Sequence, residues 1–200
     1  MLEHKLWPIK DVDMMVVKTK IQNVVKTKIQ NIVLSVTYDD TRFNLDKLSR
    51  SLEGAAYDPE VFPGITYKSL NPPASFLIFS SGKMNCVGAR SMKEAHEAIA
   101  NLTKKLKRAH MKVKSDPKVK VQNIVASVDF GRKFDLEQIA RRFENTEYEP
   151  EVFPGLVFRL AEPKAVLLIF VSGKGVCAGV KSLKEVKTAA QNTAKILRRH

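Results

Sequence analysis

The sequence predicts an α+β fold in which one unit occurs twice, with an antiparallel sheet covered on one face by helices. Three observations lead to this prediction. A long motif recurs later in the chain, apolar strands are separated by short turns, and each unit contains a short and a long helical pattern. Strands joined by short turns run antiparallel, and two helices per unit are enough to cover one face of the sheet but not both.

The repeat is most visible in Tyr57-Asp-Pro-Glu-Val-Phe-Pro-Gly64, which returns 91 residues later as Tyr148-Glu-Pro-Glu-Val-Phe-Pro-Gly155. From this motif onward the two copies share 20 of 38 aligned residues, far more than unrelated segments share. Upstream, Gln30-Asn-Ile-Val33 matches Gln122-Asn-Ile-Val125. Self-similarity on this scale indicates a duplicated structural unit.

We therefore divide the chain into an N-terminal extension at residues 1–28, a first repeat at 29–117 and a second repeat at 118–200. The extension contains an octapeptide duplication, because Val16-Val-Lys-Thr-Lys-Ile-Gln-Asn23 is followed directly by an identical copy that ends at Asn31. Only the second copy continues into the Ile-Val segment that opens a repeat, so we assign that copy to the first strand.

Each repeat is predicted to contain a strand, a short helix, three further strands and a long helix. In the first repeat these elements are predicted at residues 29–37, 45–52, 65–70, 75–80, 84–89 and 92–110. In the second repeat the first strand and the two helices are predicted at residues 121–129, 136–143 and 183–199. Ser91 and Ser182 are predicted N-caps of the long helices, with Glu94 and Glu185 completing capping boxes.

Alternation along the strands assigns the two faces of the sheet. The segment Ser75-Phe-Leu-Ile-Phe79 is apolar on both sides, which is typical of a strand covered on both faces. Because the helices can cover only one face, the other is an exposed apolar surface of the kind that marks a binding site. If Phe79 and Leu77 point to this open face, Phe76 and Ile78 point to the helices.

Charge and chemistry narrow the classes of function. The chain has 34 Lys and Arg residues against 21 Asp and Glu residues, and the net charge of +13 favours a polyanionic partner such as DNA, RNA or an anionic membrane. A solvated basic surface is the alternative. We find no nucleophile–base pair, carboxylate cluster or metal-ligand spacing, so we expect no enzymatic activity, no cofactor and no metal. No apolar run is long enough to span a bilayer. Cys86 and Cys177 are expected to be buried apolar residues.

The paired motifs resemble those of the TATA-box-binding protein family. The resemblance extends from about Ile29 to the C-terminus and rests on both Gln-Asn-Ile-Val segments, both Tyr-x-Pro-Glu-Val-Phe-Pro-Gly segments and both Leu-Ile-Phe…Ser-Gly-Lys segments. Because the first loop motif matches the second closely, the chain looks like an archaeal member. The resemblance implies a pseudo-symmetric saddle, in which the concave face of a curved antiparallel sheet binds the minor groove and helices cover the convex face.

The resemblance also implies roles for individual side chains. The family's wedging phenylalanines, which enter kinked base steps, are matched by Phe62, Phe79, Phe153 and Phe170. The positions against base edges and sugars are matched by Asn31, Asn123, Val33, Val125, Leu77, Leu168, Val166, Val87 and Ala178. The positions that face phosphates are matched by Lys68, Lys83, Arg90, Arg159, Lys174, Lys181, Ser81 and Ser172. The loop that receives transcription factor B is matched by Glu149, Glu151 and Val152.

Each of these assignments has a structural alternative. The phenylalanines could be core residues, the cations a solvated rim, and the acidic loop an ordinary exposed turn. If all six cations pair with phosphates, the logarithm of the binding constant should fall with the logarithm of salt concentration with a slope of about −5.

The implied function is that of a general transcription initiation factor. Such a protein binds and bends promoter TATA-box DNA through the minor groove, then recruits transcription factor B and, indirectly, RNA polymerase. The implied location is the cytoplasm, on the nucleoid, in an archaeon, or the nucleus in a eukaryote. No membrane partner is expected, and a homodimer of the free protein is left open.

Two departures from the family keep an alternative open. The family has Thr where this chain has Val87 and Ala178, and the octapeptide duplication is atypical. The alternative is a diverged paralogue that acts as a protein-interaction or generic nucleic-acid-binding module. A repair enzyme whose accessory domain shares this fold is a third hypothesis, which the lack of catalytic residues disfavours.

Overall fold

The computed structural model describes residues 25–113 and 116–198, which form a ten-stranded antiparallel sheet and four helices. In chain order the first half contains β1 (Lys26–Thr37), α1 (Leu45–Ser51), β2 (Ala55–Ala56), β3 (Gly64–Leu70), β4 (Pro73–Phe79), β5 (Lys83–Ala89) and α2 (Met92–Arg108). The second half repeats this order with β6 (Lys118–Asp129), α3 (Leu136–Arg142), β7 (Thr146–Glu147), β8 (Leu156–Leu160), β9 (Ala165–Ile169), β10 (Lys174–Val180) and α4 (Leu183–Arg198). The first octapeptide copy, with the rest of residues 1–24, lies outside the described residues.

The two repeats form one continuous curved sheet, with the strand order β2-β3-β4-β5-β1-β6-β10-β9-β8-β7. The order reads the same from either edge, once each strand is replaced by its counterpart in the other repeat. The long strands β1 and β6 pair at the centre and join the repeats. The predicted α+β saddle with two pseudo-symmetric repeats is therefore confirmed.

One face of the sheet is buried under the helices, and the alternation of side chains determines which residues form the core. In β1, Ile32, Leu34 and Val36 are almost completely buried, while the residues between them are only half-buried. In β4, Phe76 and Ile78 are buried against the helices. The predicted assignment of strand residues to the two faces is confirmed, and the side opposite the helices is called the open face below.

The long helix α2 packs on the sheet through a stripe of small and aliphatic residues. Ala95, Ala98, Ile99, Leu102 and Leu106 are buried and recur at intervals of three or four residues, which places them on one side of the helix. The helix α4 has an equivalent stripe that includes Val186 and Ala190. Alanines in these stripes let the helix backbones approach the sheet closely.

The predicted element bounds agree with the structure to within three residues, with two differences. The strands β1 and β6 each begin three residues earlier than predicted, since Lys26–Lys28 and Lys118–Lys120 extend the central ladder although they lack a run of apolar residues. The strands β2 and β7 were not predicted, because a two-residue strand is too short to carry an alternating pattern.

The helix N-caps are confirmed, but only one of the two hydrogen bonds of each predicted capping box forms. The Ser91 hydroxyl accepts a hydrogen bond from the Glu94 N–H at 3.1 Å, and Ser182 accepts from the Glu185 N–H at the same distance. A capping box also needs the glutamate to accept from the N–H of the serine. Instead, the Glu94 carboxylate accepts from the N–H of the residue before the cap, Arg90, and Glu185 does the same in the second repeat.

Candidate nucleic-acid interface

The open face is lined by half-buried side chains of the sheet, and many of these side chains are apolar. At its centre the register of the β1–β6 ladder pairs Asn31 with Val125 and Val33 with Asn123. Residues paired across strands point to the same side of a sheet. The register shifts by one residue on either side of these pairs. The two predicted asparagines and the two predicted valines therefore form one cluster at the junction of the repeats.

Apolar side chains continue this surface outward from the centre in both repeats. In β4, Leu77 pairs with Asn85 of β5, and Ser75 pairs with Val87. In β9, Leu168 pairs with Val176 of β10, and Val166 pairs with Ala178. All the predicted base-contacting and sugar-contacting residues therefore lie on the open face. Val87 and Ala178 supply no hydroxyl group there.

An aromatic pair lies at each end of this surface. The rings of Phe62 and Phe79 have centroids 5.9 Å apart and an interplanar angle of 61°. The rings of Phe153 and Phe170 are also 5.9 Å apart, at 62°. The buried core contains none of the four, and Phe153 is 40% exposed. The alternative that these phenylalanines are core residues is wrong.

The loop before each of these pairs fixes the backbone of one phenylalanine. The Asp58 carbonyl accepts hydrogen bonds from the Val61 and Phe62 N–H groups, and the Glu149 carbonyl accepts from the Val152 and Phe153 N–H groups. The same tight turn is thus built in both repeats. It projects Phe62 and Phe153 beside the phenylalanines at the ends of β4 and β9.

Glycine follows each loop because the rings occupy the space that a larger residue would need. A Cβ atom at Gly155 would lie 2.6 Å from Phe153 Cε1 and 2.9 Å from Phe170 Cε1. At Gly64 it would lie 2.9 Å from Phe62 Cε1 and 3.0 Å from the Ile78 carbonyl oxygen. The Phe-Pro-Gly motif therefore provides the ring and also the gap in which the ring pair packs.

The central asparagines are held by hydrogen bonds to the neighbouring strands. The Asn31 Oδ1 atom accepts a hydrogen bond from the Gly88 N–H at 2.7 Å, and Asn123 Oδ1 accepts from the Gly179 N–H at 2.9 Å. A backbone N–H can only donate, so the side-chain oxygen must face the glycine. The amide NH₂ group of each asparagine is left to donate to a ligand on the open face.

The predicted phosphate-facing side chains are exposed around this surface. They are Lys68, Lys83, Arg90, Arg159, Lys174, Lys181, Ser81 and Ser172. Four of the six cations occur in strands that line the open face, while Arg90 and Lys181 directly follow β5 and β10. The Arg159 guanidinium is already paired, since its Nη2 atom lies 3.0 Å from Glu147 Oε1 and 3.1 Å from Oε2.

The acidic loop of the second repeat lies beside its aromatic pair and is open to solvent. Glu149 and Glu151 are exposed, and Val152 is 79% exposed. The loop of the first repeat has the same form, with Val61 81% exposed. An exposed valine directly after two carboxylates offers an apolar contact together with negative charge.

Comparison with known proteins gives two matches to one family model, at residues 26–109 and 118–200, and the model is described as Transcription factor TFIID (or TATA-binding protein, TBP). The chain belongs to the TATA-binding protein family. A TATA-box-binding protein of Methanocaldococcus jannaschii is 49% identical over 146 residues, which are 73% of this chain and 80% of that protein. One from Archaeoglobus fulgidus is 43% identical over 187 residues, which are 92% of this chain and 97% of that protein.

A solved structure supports the same conclusion. The structure described as Methanococcus jannaschii TBP has a TM-score of 0.83 with this chain at 44% sequence identity, and the alignment covers 88% of this chain and 99% of that one. The resemblance to the TATA-binding protein family, its two repeats and the archaeal type of the relatives are confirmed.

Some residues of the TATA-binding protein open face were missed by sequence reasoning. The Gln30 Nε2 atom donates to Ser127 Oγ at 3.0 Å, and Gln122 Nε2 donates to Ser35 Oγ at 2.8 Å. Their presence in the duplicated Gln-Asn-Ile-Val motif was a signal that could have identified the glutamines. Glu147 had no such signal, because the first repeat has Ala56 at the equivalent position.

Beyond the open face, the described residues of this TATA-binding protein family member were compared with the features of a metal site, a reactive cysteine and a membrane-spanning helix. In those ranges no group of three or more His, Cys, Asp and Glu side chains is placed to hold a metal ion. Cys86 and Cys177 are free and fully buried, and burial raises the pKa of each thiol to about 11. No helix within residues 25–113 and 116–198 is long and apolar enough to cross a membrane.

Proposed function

We propose that this protein is a general transcription initiation factor that binds TATA-type promoter DNA on its open face, bends the DNA, and then recruits transcription factor B and RNA polymerase. The observation that carries the proposal is the symmetric placement of two phenylalanine pairs, outside the buried core, around a central pair of asparagines. A face with this composition suits a minor groove, where sugars offer apolar surface and base edges offer few polar groups.

The dimensions of the open face support two separate kinks. Five strand spacings separate β4 from β9 in the sheet order. At about 4.8 Å each, these spacings separate the strands that lead to Phe79 and Phe170 by about 24 Å along the sheet. That span corresponds to about seven base-pair steps at about 3.4 Å per step. This span supports the proposal that each pair enters a different step of one short site, and the net charge of +13 favours the polyanion.

The direct test is a binding titration at fixed salt with two duplexes of equal length, one TATA-like and one rich in G·C pairs. Because mismatched base pairs typically cost about 1–3 kcal/mol each, we expect at least tenfold tighter binding to the TATA-like duplex. Equal affinity for the two duplexes would instead support the alternative of a generic nucleic-acid-binding module, which the loss of hydroxyl groups at Val87 and Ala178 favours.

Recruitment of transcription factor B is the second step of the proposal, and the exposed loop with Glu149, Glu151 and Val152 is its proposed site. Charge reversal in Glu149→Lys with Glu151→Lys should abolish the ternary complex on promoter DNA while DNA binding persists. The first repeat offers the matched control, Asp58→Lys with Glu60→Lys. A ternary complex that survives the first double variant, or is lost equally in both, would refute this site.

A location on the nucleoid follows from the proposed DNA binding. Its support is the same set of exposed cations and the exposed open face. Chromatin fractionation tests it, and the protein should leave the DNA fraction as salt is raised because phosphate contacts depend on counterion release.

A further inference from the structure

Two glycines on the open face make the same unusual contact in the two repeats. The Gly88 N–H donates to Asn31 Oδ1, and the Gly179 N–H donates to Asn123 Oδ1. Each glycine lies in a strand next to the strand of its asparagine, on β5 beside β1 and on β10 beside β6. A contact made twice at equivalent positions of a duplicated unit indicates a shared requirement of the open face.

The backbone at these glycines is bent so that the N–H is free for a side chain. Gly88 has φ +97° and Gly179 has φ +88°, a region that residues with a Cβ atom rarely adopt. The pairing register shifts next to both glycines, between Ile32 and Leu34 in the β1–β5 ladder and between Cys177 and Val180 in the β10–β6 ladder. Such irregularities turn a backbone group away from its ladder partner.

The orientation of each asparagine amide determines which base pair the side chain can hydrogen-bond in the minor groove. With Oδ1 held by the glycine, each asparagine presents only N–H donors to a ligand. In the minor groove an A·T pair offers only acceptors, whereas a G·C pair adds the guanine 2-amino donor. A fixed donor therefore matches A·T and opposes G·C, while an amide that could rotate would present its oxygen to the guanine amino group.

We propose that Gly88 and Gly179 are positioning residues for base selection, holding the amides of Asn31 and Asn123 in the orientation that rejects guanine. The proposal rests on the proposed binding of the minor groove. It matters more in this chain because the residues before the glycines, Val87 and Ala178, have no hydroxyl group that could read the same base edges.

The experiment compares duplexes that differ only in the guanine 2-amino group. Central A·T pairs of a TATA-like duplex are replaced by G·C pairs or by inosine·cytosine pairs, which lack that group and present acceptors as A·T does. The readout is the ratio of the dissociation constants for the G·C and inosine·cytosine duplexes. We expect a ratio of about ten or more for the unaltered protein. A general loss of folded protein lowers both affinities and leaves the ratio unchanged.

The decisive variant is Gly88→Ala with Gly179→Ala. A Cβ atom fits sterically, since the nearest atoms are the Ala74 and Ala165 Cα atoms at 3.8 Å, so only the backbone conformation is challenged. We expect the ratio to fall to about two. The matched control is Gly54→Ala, because Gly54 also has a positive φ, of +79°, and an added Cβ there would meet no atom within 4 Å. The control should keep the ratio of the unaltered protein.

A second variant decides the matter if the double glycine variant does not fold. Asn31→Asp with Asn123→Asp keeps an oxygen for each glycine N–H and replaces the outward donor by an acceptor. Its ratio should fall to one or below. The proposal is overturned if the folded double glycine variant or the double aspartate variant keeps the ratio of the unaltered protein. It is also overturned if the unaltered protein binds the G·C-substituted and the inosine·cytosine-substituted duplexes equally. The proposed function would still stand in that case if the protein preferred the TATA-like duplex to a G·C-rich one.

Discussion

The two repeats share the phenylalanine pairs and the central asparagines of the open face, and they differ in the charged residues at its outer edges. Both contain a phenylalanine pair with a centroid distance of 5.9 Å, and both hold a central asparagine by a glycine N–H. At the outer edge of the second repeat, Arg159 forms an ion pair with Glu147. In the first repeat the equivalent residues are Lys68 and Ala56, and no described acidic side chain pairs with Lys68.

The edge backbone differs in the same way. In the second repeat the Asn145 side chain donates to the Arg159 carbonyl, and the Asn145 carbonyl accepts from the Arg159 N–H at 2.9 Å. The first repeat has Gly54 at the equivalent position, so this side-chain contact has no counterpart there. A second acid, Asp129, pairs across the ladder with Lys174, where the first repeat pairs Thr37 with Lys83.

The contrast between the shared aromatic and asparagine pairs and the differing edge charges indicates which parts of the open face a pseudo-symmetric ligand would keep equal in the two repeats. Under the proposed function, duplex DNA would present nearly the same groove to both halves of the saddle, which would keep the phenylalanine pairs and the central asparagines equal. Under the proposed binding the edges would meet phosphates, which tolerate changes of charge. We therefore expect the orientation of the protein on a promoter to depend on edge charges and on partner proteins, because the centre provides little asymmetry.

The largest predicted effect concerns the phenylalanines, where the repeats should behave alike. Phe62→Ala and Phe153→Ala should each weaken binding to a TATA-like duplex by about ten- to hundredfold, because base–aromatic stacking contributes about 1–3 kcal/mol per base. Gel-shift titration measures the loss. Leu70→Ala is the control, since Leu70 is 90% exposed and is not an aromatic wedge. Effects that differ by more than tenfold between Phe62 and Phe153 would contradict the symmetry of the wedges.

A smaller effect is expected from filling the gap beneath the rings. Gly155→Ala should weaken DNA binding by about tenfold with little change in Tm, because the three atoms nearest to its new Cβ would all belong to the rings of Phe153 and Phe170. Gly64→Ala should also lower Tm, since its Cβ would contact the Ile78 carbonyl, and overpacking of this kind costs about 1–3 kcal/mol. Thermal unfolding and gel-shift titration together check this contrast. Equal loss of Tm in both variants would refute it.

The edge charges can be exchanged between the repeats with opposite results. Glu147→Ala should free Arg159 for a phosphate contact, so the slope of log K against log salt concentration should become steeper by about 0.9. Ala56→Glu should pair with Lys68 and make this slope shallower by about 0.9. Affinity at one salt concentration should change only a few-fold, because exposed ion pairs are worth about 0–1 kcal/mol. Titrations at several salt concentrations provide the slopes. Slopes that do not change in opposite directions would show that these edges do not meet phosphates.

The smallest difference is expected at the two cysteines. Burial raises the pKa of Cys86 and Cys177 from an ordinary value of 9.0 to about 11, so at pH 8 both thiols should react with an alkylating reagent far more slowly than in unfolded protein. Their burial stabilises the fold below pH 9, and this contribution is lost as pH rises through about 11. Mass spectrometry of alkylated peptides measures both rates. Fast modification of one cysteine alone would show that the two cores differ.

Sequence reasoning predicted the parts of the molecule that depend on local pattern. Alternation along 75–79 predicted the buried face, and the family resemblance that the duplicated motifs carry implied the phenylalanine pairs and the asparagine pair. The glycine contacts of Asn31 and Asn123 could not be predicted, because they depend on register shifts between strands far apart in the chain. The Glu147–Arg159 ion pair was missed for a related reason, since β7 is too short to have a pattern.

The central claim is that the open face bends DNA by inserting one phenylalanine pair from each repeat, and end-to-end energy transfer on a doubly labelled TATA-like duplex tests it directly. At saturating protein the unaltered chain should shorten the distance between the duplex ends. Phe62→Ala and Phe153→Ala should each remove part of the shortening, and the double variant should remove nearly all of it even where DNA is fully bound. A double variant that shortens the duplex as much as the unaltered protein would contradict the account.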